Sequence, residues 1–275
     1  MATKDFSEQI ENISRVPGEV VRRLTGTTRP RLAVFRPKHP NGKAILIIPG
    51  GGFATNYFDP EGYMPATVFA SKGYTCFVLF YRLADNGWQS RPDVGTVDAQ
   101  RALRLIKSNA SRFNIDPEKV GAVGFSAGGF VVASLATRFN ETLYDPTDPM
   151  DSHSSKPAFI GLAYGVLSLD PAIAWAGANP ALFGRMPTVQ EMDRYSPDQL
   201  VTAQTPPVFL THAEDDKVVV VENSLRFRAE AVRHGVRTEM HIFATGGHGF
   251  RKGDLLLDAY LRWPSQFMGF IDANV

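Results

Sequence analysis

The chain has one cysteine, Cys76, in 275 residues. A disulfide or a cysteine-rich zinc cluster within the chain is therefore excluded. Cys76 lies in the apolar run "GYTCFVLFY", where nothing lowers a thiol pKa, so it reads as a small core hydrophobe. Long hydrophobic runs are also missing. Stretches such as "AILIIPGGGF" are far too short to span a bilayer, and no membrane partner is expected. Charge of either sign is not in excess: 29 Lys and Arg stand against 28 Asp and Glu, a formal net charge of +1. That balance gives no electrostatic reason to expect nucleic acid. Arg22, Arg23, Arg29 and Arg31 cluster without interleaved aromatics and read as a solvated face. Neither G-x-x-x-x-G-K-[ST] nor G-x-G-x-x-G occurs at the glycine-rich stretches 50–52 and 124–129, which argues against a nucleotide cradle. Asp145, Asp148 and Asp151 do not fit a calcium loop, so no metal and no other cofactor is expected. The chain as given opens without an apolar leader. The expectation is a cytoplasmic location, with the periplasm or secretion as the alternative where a signal peptide has been removed.

What is present is an ordinary globular balance, 44% hydrophobic and 21% charged, over a length that one α/β domain can fill. A single domain over 1–275 is expected. From residue 31 onward short β-branched runs alternate with longer amphipathic ones. Strands are predicted at Arg31 to Arg36, Ala44 to Ile48, Thr75 to Tyr81, Lys119 to Phe125, Ala158 to Tyr164, Pro207 to His212 and Thr238 to Phe243. Helices are predicted at Gly62 to Lys72, Val94 to Phe113, Ala127 to Phe139, Glu222 to His234 and Asp254 to Ile271. Strand and helix in turn imply a mostly parallel central sheet with helices on both faces. The proline-rich excursion Val166 to Gln204 is too long for a plain connection and reads as a lid or substrate-binding loop.

Ligands of such sheets collect at the carboxyl ends of the strands. Four of those ends carry glycines or candidate catalytic side chains. "GFSAGG" fits G-x-S-x-G, a tight strand-to-helix turn that lifts Ser126 above the sheet and puts the Ala127 N–H at a helix start, where negative charge is stabilised. A serine hydroxyl needs a base within reach. His248, in the glycine-flanked "TGGHGF", is the best placed of the six histidines. His39, His153, His234 and His241 have ordinary surface or strand positions, and His212 reads as a supporting or packing residue. The orienting acid should fall between serine and histidine, in "THAEDDKVVVVENS". Asp216 is the first choice and Asp215 the runner-up. Gly50, Gly51 and Gly52 follow an earlier strand and can bring backbone N–H groups close to a substrate oxygen.

These features resemble an α/β-hydrolase of the esterase/lipase group, in particular the small carbohydrate acetyl esterases and feruloyl-type esterases. The resemblance is carried by "PGGGF" at 49–53, "EGY" at 61–63, "YRL" at 81–83, "DAQRALR" at 98–104, "DPEKVGAVGFSAGG" at 116–129, "SPDQLVTAQTPPVFLTHAEDDKVV" at 196–219 and "GGHGF" at 246–250. Two positions depart from the common pattern: Pro49 stands where related lipases often have histidine, and Val220 where proline is frequent. The resemblance implies the α/β-hydrolase fold, with Ser126, Asp216 and His248 as nucleophile, acid and base. It implies the N–H groups of Gly51, Gly52 and Ala127 as oxyanion hole, and a buried ion pair between Arg82 and Asp98. Phe53, Trp175, Phe183 and Tyr195 are the candidate substrate contacts. The expected activity is hydrolysis of short-chain or aromatic acyl esters, of carbohydrate above all, with a small-molecule or oligosaccharide ester as substrate, and the sequence leaves the oligomeric state open. The alternatives are a serine peptidase of the prolyl oligopeptidase kind and a non-catalytic binding protein on the same fold.

Overall fold

A computed structural model describes residues 7–14, 20–89, 91–252 and 255–275. Among the described residues the first elements are an antiparallel hairpin pair, β1 (Gln9–Asn12) and β2 (Arg22–Thr25). The main sheet follows with β3 (Arg31–Phe35) and β4 (Ala44–Ile48), then helix α1 (Met64–Ala70) and β5 (Thr75–Phe80). Helices α2 (Val94–Ser108) and α3 (Ala110–Phe113) lead to β6 (Val120–Phe125), α4 (Ala127–Thr137) and β7 (Ile160–Ala163). The excursion carries α5 (Ala178–Phe183) and α6 (Val189–Tyr195). The chain then finishes with β8 (Val208–Ala213), α7 (Glu222–Arg233), β9 (Thr238–Phe243) and α8 (Asp258–Asn274).

The strand order is β3-β5-β4-β6-β7-β8-β9, antiparallel only at the β3–β5 edge and parallel elsewhere. This is the expected α/β-hydrolase architecture. The central strands β4, β5, β6 and β8 bury every residue, as runs without polar alternation must when helices cover both faces. β9 at the edge buries none fully, and its sequence "TEMHIF" alternates accordingly. From β3 to β5 the chain builds toward one edge, and from β6 it builds toward the other. The reversal makes β4 and β6 direct neighbours, with Ile48 beside Gly124. Their carboxyl ends therefore deliver the glycine stretch and the serine turn side by side.

Every predicted strand forms, with ends shifted by two residues at most. Two predicted helices differ in detail. Residues 94–113 form two helices, because Asn109 leaves helical geometry (φ −104°, ψ 18°) and its side chain donates to the Leu105 carbonyl. The predicted run from Gly62 is a wide turn over Asp59–Tyr63 continued by α1. The predicted start at Asp254 lies outside the described residues. The hairpin was not expected from sequence. Leu24, fully buried against Phe58 and Phe80, docks it, and Leu24 exchanges backbone hydrogen bonds with Asn56. The arginine cluster is correspondingly less bare than a solvated face. Arg22 grips Asp59 with two nitrogens, Arg23 grips Glu11, and Arg31 grips Glu8, while Arg29 stays exposed.

Arg82 and Asp98 form the expected ion pair, bidentate and with the Asp98 side chain 4% exposed. It ties the end of β5 to α2. Burial raises the Asp98 pKa, and the guanidinium and backbone N–H of Arg82 oppose that rise, so losing the Arg82 side chain would leave a buried charge without its counter-ion. Asp148 and Asp151 receive the Arg101 guanidinium. Cys76 is fully buried, and burial pushes its thiol pKa up, as a packing role requires.

Candidate active site

The serine turn is strained where the sequence places its small residues. Ser126 sits at φ 51°, ψ −119°, a region that side chains other than glycine rarely adopt. Two flanking glycines make the turn possible. A Cβ on Gly124 would fall 2.3 Å from the Gly128 carbonyl oxygen, and one on Gly128 would fall 2.1 Å from that of Ile48. The strain is held by the surroundings: the Ser126 N–H donates to Ala163, and its carbonyl accepts from Gly129 and Val166. Behind it α4 is buried from Ala127 to Ala136, so the turn rests on the core.

Ser126 Oγ lies 2.8 Å from His248 Nε2, and His248 Nδ1 lies 2.7 Å from Asp216 Oδ2. Nδ1 facing a carboxylate carries the ring proton, which leaves Nε2 free to accept from the serine hydroxyl. The carboxylate is fixed on its other side by the N–H groups of Val218 and Val219, which donate to Oδ1 at 2.9 and 3.1 Å. Burial alone would raise the Asp216 pKa. Hydrogen bonds from His212 and His248, with the Val218 N–H, outweigh it and hold the group well below the usual carboxylate range.

Asp215 has a different task. Its Oδ1 accepts the N–H groups of Gly246 and Gly247 at 2.8 and 2.7 Å, clamping the loop that presents His248. His212 is buried, with Nε2 2.8 Å from the Val219 carbonyl and Nδ1 2.8 Å from Ser224 Oγ. Nε2 must donate to that carbonyl, and it stands 3.3 Å from Asp216 Oδ2 as well. His212 thus supports the acid and never faces the serine.

The glycine stretch turns tightly after β4. The Gly51 carbonyl accepts from Ala54 and Thr55, with Gly51 at φ 128° and Gly52 at φ 61°. Both glycines line, with Ser126 and His248, a cavity of about 610 Å³, within the range of small-molecule sites. Ala127, the residue after Ser126, starts α4.

Of the four candidate substrate contacts only Trp175 lines the cavity, its indole lying over Gly52. Phe53 does not. Its own backbone is at φ 64°, which turns the ring into the core, 2% exposed and edge-on to Phe130 at 5.5 Å. Phe183 and Tyr195 do not either; they pack on each other at 5.6 Å, and Tyr195 is held by Asp93 and beneath Arg138. They anchor the excursion, which is part of the body and no free flap. Asn223 accepts the N–H groups of Leu167 and Ser168, and Ala178 and Leu182 are buried in the core.

Several cavity residues escaped the sequence reading. Ile13, Val21 and Arg23 come from the hairpin, Tyr57 from the loop after β4, and Arg251 and Tyr260 from the C-terminal region. Glu61 and Tyr164 also line it. Glu61 belongs to the "EGY" stretch, and Tyr164 ends a predicted strand; those were their only signals.

The profile of the BD-FAE family matches residues 32–230. The chain is 30% identical over 243 residues to an acetylxylan esterase of Xylanibacter ruminicola, covering 84% of this chain and 45% of that protein. It is 33% identical over 205 residues to endo-1,4-beta-xylanase B of Butyrivibrio fibrisolvens, covering 74% of this chain and 32% of that protein. The chain thus spans less than half the length of these two curated relatives. Among solved structures, an acetyl ester-xyloside bifunctional hydrolase from Caldicellulosiruptor lactoaceticus superposes with a TM-score of 0.79 at 32% identity, over 89% of this chain and 88% of that one. Together with the seven-stranded sheet and the serine turn at the end of β6, the match over 32–230 places this chain in the BD-FAE family.

Proposed function

We propose that this chain is a serine esterase that removes short acyl groups, acetyl first, from carbohydrate esters through an acyl-enzyme. The observation that carries the reading is the unbroken line from Ser126 Oγ through His248 to Asp216, opening into a cavity beside Gly51 and Gly52. Ser126 attacks the ester carbonyl while His248 Nε2 takes its proton. The Asp216 carboxylate holds the imidazole in the required tautomer and faces the positive charge that develops on it. The carbonyl oxygen becomes an oxyanion against the N–H groups of Gly51, Gly52 and Ala127, fixed dipoles that need no rearrangement at the moment of reaction. His248 then returns the proton to the departing alcohol. A water takes the alcohol's place, and the same steps in reverse release the acid and free serine.

The substrate class is supported by the relatives and by the wall of the site. The acetylxylan esterase and the acetyl ester-xyloside hydrolase both carry acetyl-ester chemistry on sugars in their names. The cavity presents Tyr57, Trp175 and Tyr260, ring faces of the kind that pack on the apolar side of a pyranose, mixed with the guanidinium groups of Arg23 and Arg251. Ile13, Val21, Val218 and Val219 add aliphatic surface to the same wall, and the gain of roughly 0.8 kcal/mol per buried methylene should stop once an acyl chain of a few carbons has filled what the guanidinium groups leave.

The test is a substrate panel: acetyl, butyryl and octanoyl aryl esters, acetylated xylo-oligosaccharides, methyl ferulate and a proline-containing peptide amide. The expected order of specificity constants puts acetylated xylo-oligosaccharides and short aryl esters first and octanoyl esters well below. Octanoyl esters at the top would refute the substrate class, and the peptide amide at the top would refute the esterase reading.

A further inference from the structure

Glu61 has no part in the steps above, yet its carboxyl sits between their two halves. Oε2 accepts the Gly50 N–H at 2.8 Å, and Oε1 accepts the Tyr164 hydroxyl at 3.2 Å. Gly50 belongs to the glycine stretch. Its backbone is wedged: a Cβ there would lie 2.8 Å from the Ser126 Cβ and 2.9 Å from Glu61 Oε2. The same stretch is held on its other side by Tyr81, whose hydroxyl donates to the Pro49 carbonyl at 2.9 Å. Tyr164 reaches the other half. It follows β7 at φ 39°, a strained value for a bulky residue, and its ring stands edge-on to the His248 imidazole with centroids 5.2 Å apart.

We infer that Glu61 is a positioning residue: through the Gly50 N–H it sets the spacing between the glycine stretch and Ser126, and through Tyr164 it steadies His248 against the same frame. The inference rests on the esterase reading above. An oxyanion donor works only when it is held at hydrogen-bond distance from where the charge develops, so a small relaxation of this stretch should reach the chemical step. Packing alone does not account for the choice of residue. Desolvation pushes the Glu61 pKa up, against the influence of His248, the Gly50 N–H, the Tyr164 hydroxyl and Arg251. The phenols of Tyr81 and Tyr260 also face its charge and have raised pKa values, through burial first and Glu61 second. A carboxyl kept in such a place weakens the fold when ionised, and an amide would keep an acceptor for the Gly50 N–H without burying a charge.

The experiment compares Glu61→Ala, Glu61→Gln and Tyr164→Phe with the wild type by kcat and KM on an aryl acetate. It also measures the second-order rate constant with which a neutral organophosphate phosphylates Ser126. Glu61→Ala should lower kcat about a hundredfold, the scale of a lost oxyanion donor, with KM changed less than about threefold. Glu61→Gln keeps an acceptor for Gly50 and should recover most of that loss, to within about tenfold of wild type. Tyr164→Phe should lose about tenfold. Phosphylation should fall in the same order, since the phosphyl oxygen uses the same donors. If Glu61→Ala does not fold, Tyr164→Phe decides, assayed where circular dichroism shows it folded. A folded Glu61→Ala or Tyr164→Phe that keeps both rate constants within about twofold of wild type and loses only thermal stability would overturn the inference. A wild type that is phosphylated at Ser126 yet hydrolyses no ester of the panel would refute the substrate reading instead, and phosphylation rates alone would then judge Glu61.

Discussion

The floor and the rim of the cavity are built in different ways. The floor, formed by Ser126, Asp216, His248 and the glycine stretch, stands on the carboxyl ends of β4, β6, β8 and β9, and the acid is buried among hydrogen bonds. The rim is assembled from pieces remote in sequence: Ile13, Val21 and Arg23 of the hairpin, Trp175 of the excursion, and Arg251 and Tyr260 near the end. Five of those six lie outside the stretch 32–230 that matches the BD-FAE family, whereas of the floor only His248 does. On the proposed reading the floor carries out ester cleavage, and the rim selects which ester is cleaved. Chemistry should therefore fail for every substrate when the floor is changed, and for some substrates only when the rim is changed.

The largest effect belongs to Ser126→Ala. Turnover of every ester should fall on the order of a millionfold, with the fold intact, because alanine suits the tight turn. Steady-state kinetics on a clean preparation, with circular dichroism alongside, checks it. Next comes the acid. Asp216→Asn should cost about four orders of magnitude in kcat by favouring the wrong imidazole tautomer. Asp215→Asn loosens only the loop at Gly246 and Gly247 and should cost about tenfold. The reverse ranking would move the orienting role to Asp215.

At the rim the expected changes are smaller and selective. Trp175→Ala should lower kcat/KM for acetylated xylo-oligosaccharides about tenfold, the scale of a lost apolar contact, and leave an aryl acetate within about twofold. Equal losses on both substrates would place Trp175 in the floor. The smallest effect is one of stability. The depressed Asp216 pKa stabilises the fold above the unfolded value of about 4, and that contribution disappears as pH falls through the folded pKa. The Tm gap between wild type and Asp216→Asn should therefore be widest above about pH 5 and narrow steadily below about pH 4, as measured by calorimetry across that range.

The same division explains what could be read from the sequence. Strands with fully buried, β-branched runs such as "AILII" and "VGAVGF" announce themselves locally, and so does a serine between Gly124 and Gly128. Asp216 and Asp215 are adjacent and chemically alike; only the direction of the turn, with Val218 and Val219 closing on one of them, separates them. The hairpin strands "QIEN" and "RRLT" have no period of their own, and their place is set by Leu24 meeting Asn56, a contact made only in the folded chain. Phe53 misled because a residue beside the glycines reads as a substrate contact, whereas its positive φ sends the ring into the core. Glu61 had motif neighbours but no visible role, since its partners Gly50 and Tyr164 come from the ends of two other strands.

The division between floor and rim meets its most direct test in deacylation. An aryl acetate and an acetylated xylo-oligosaccharide differ only in the alcohol, which on the proposed mechanism has left before water attacks, so that mechanism takes both through one acetylated Ser126. Rapid-quench kinetics with mass spectrometry of the Ser126 peptide measures how fast that acetyl disappears. The expected result is one acetyl on Ser126 from either substrate, lost with a single rate constant that Trp175→Ala leaves unchanged. No acetyl on Ser126 during the burst, or two different deacylation rate constants, would contradict it.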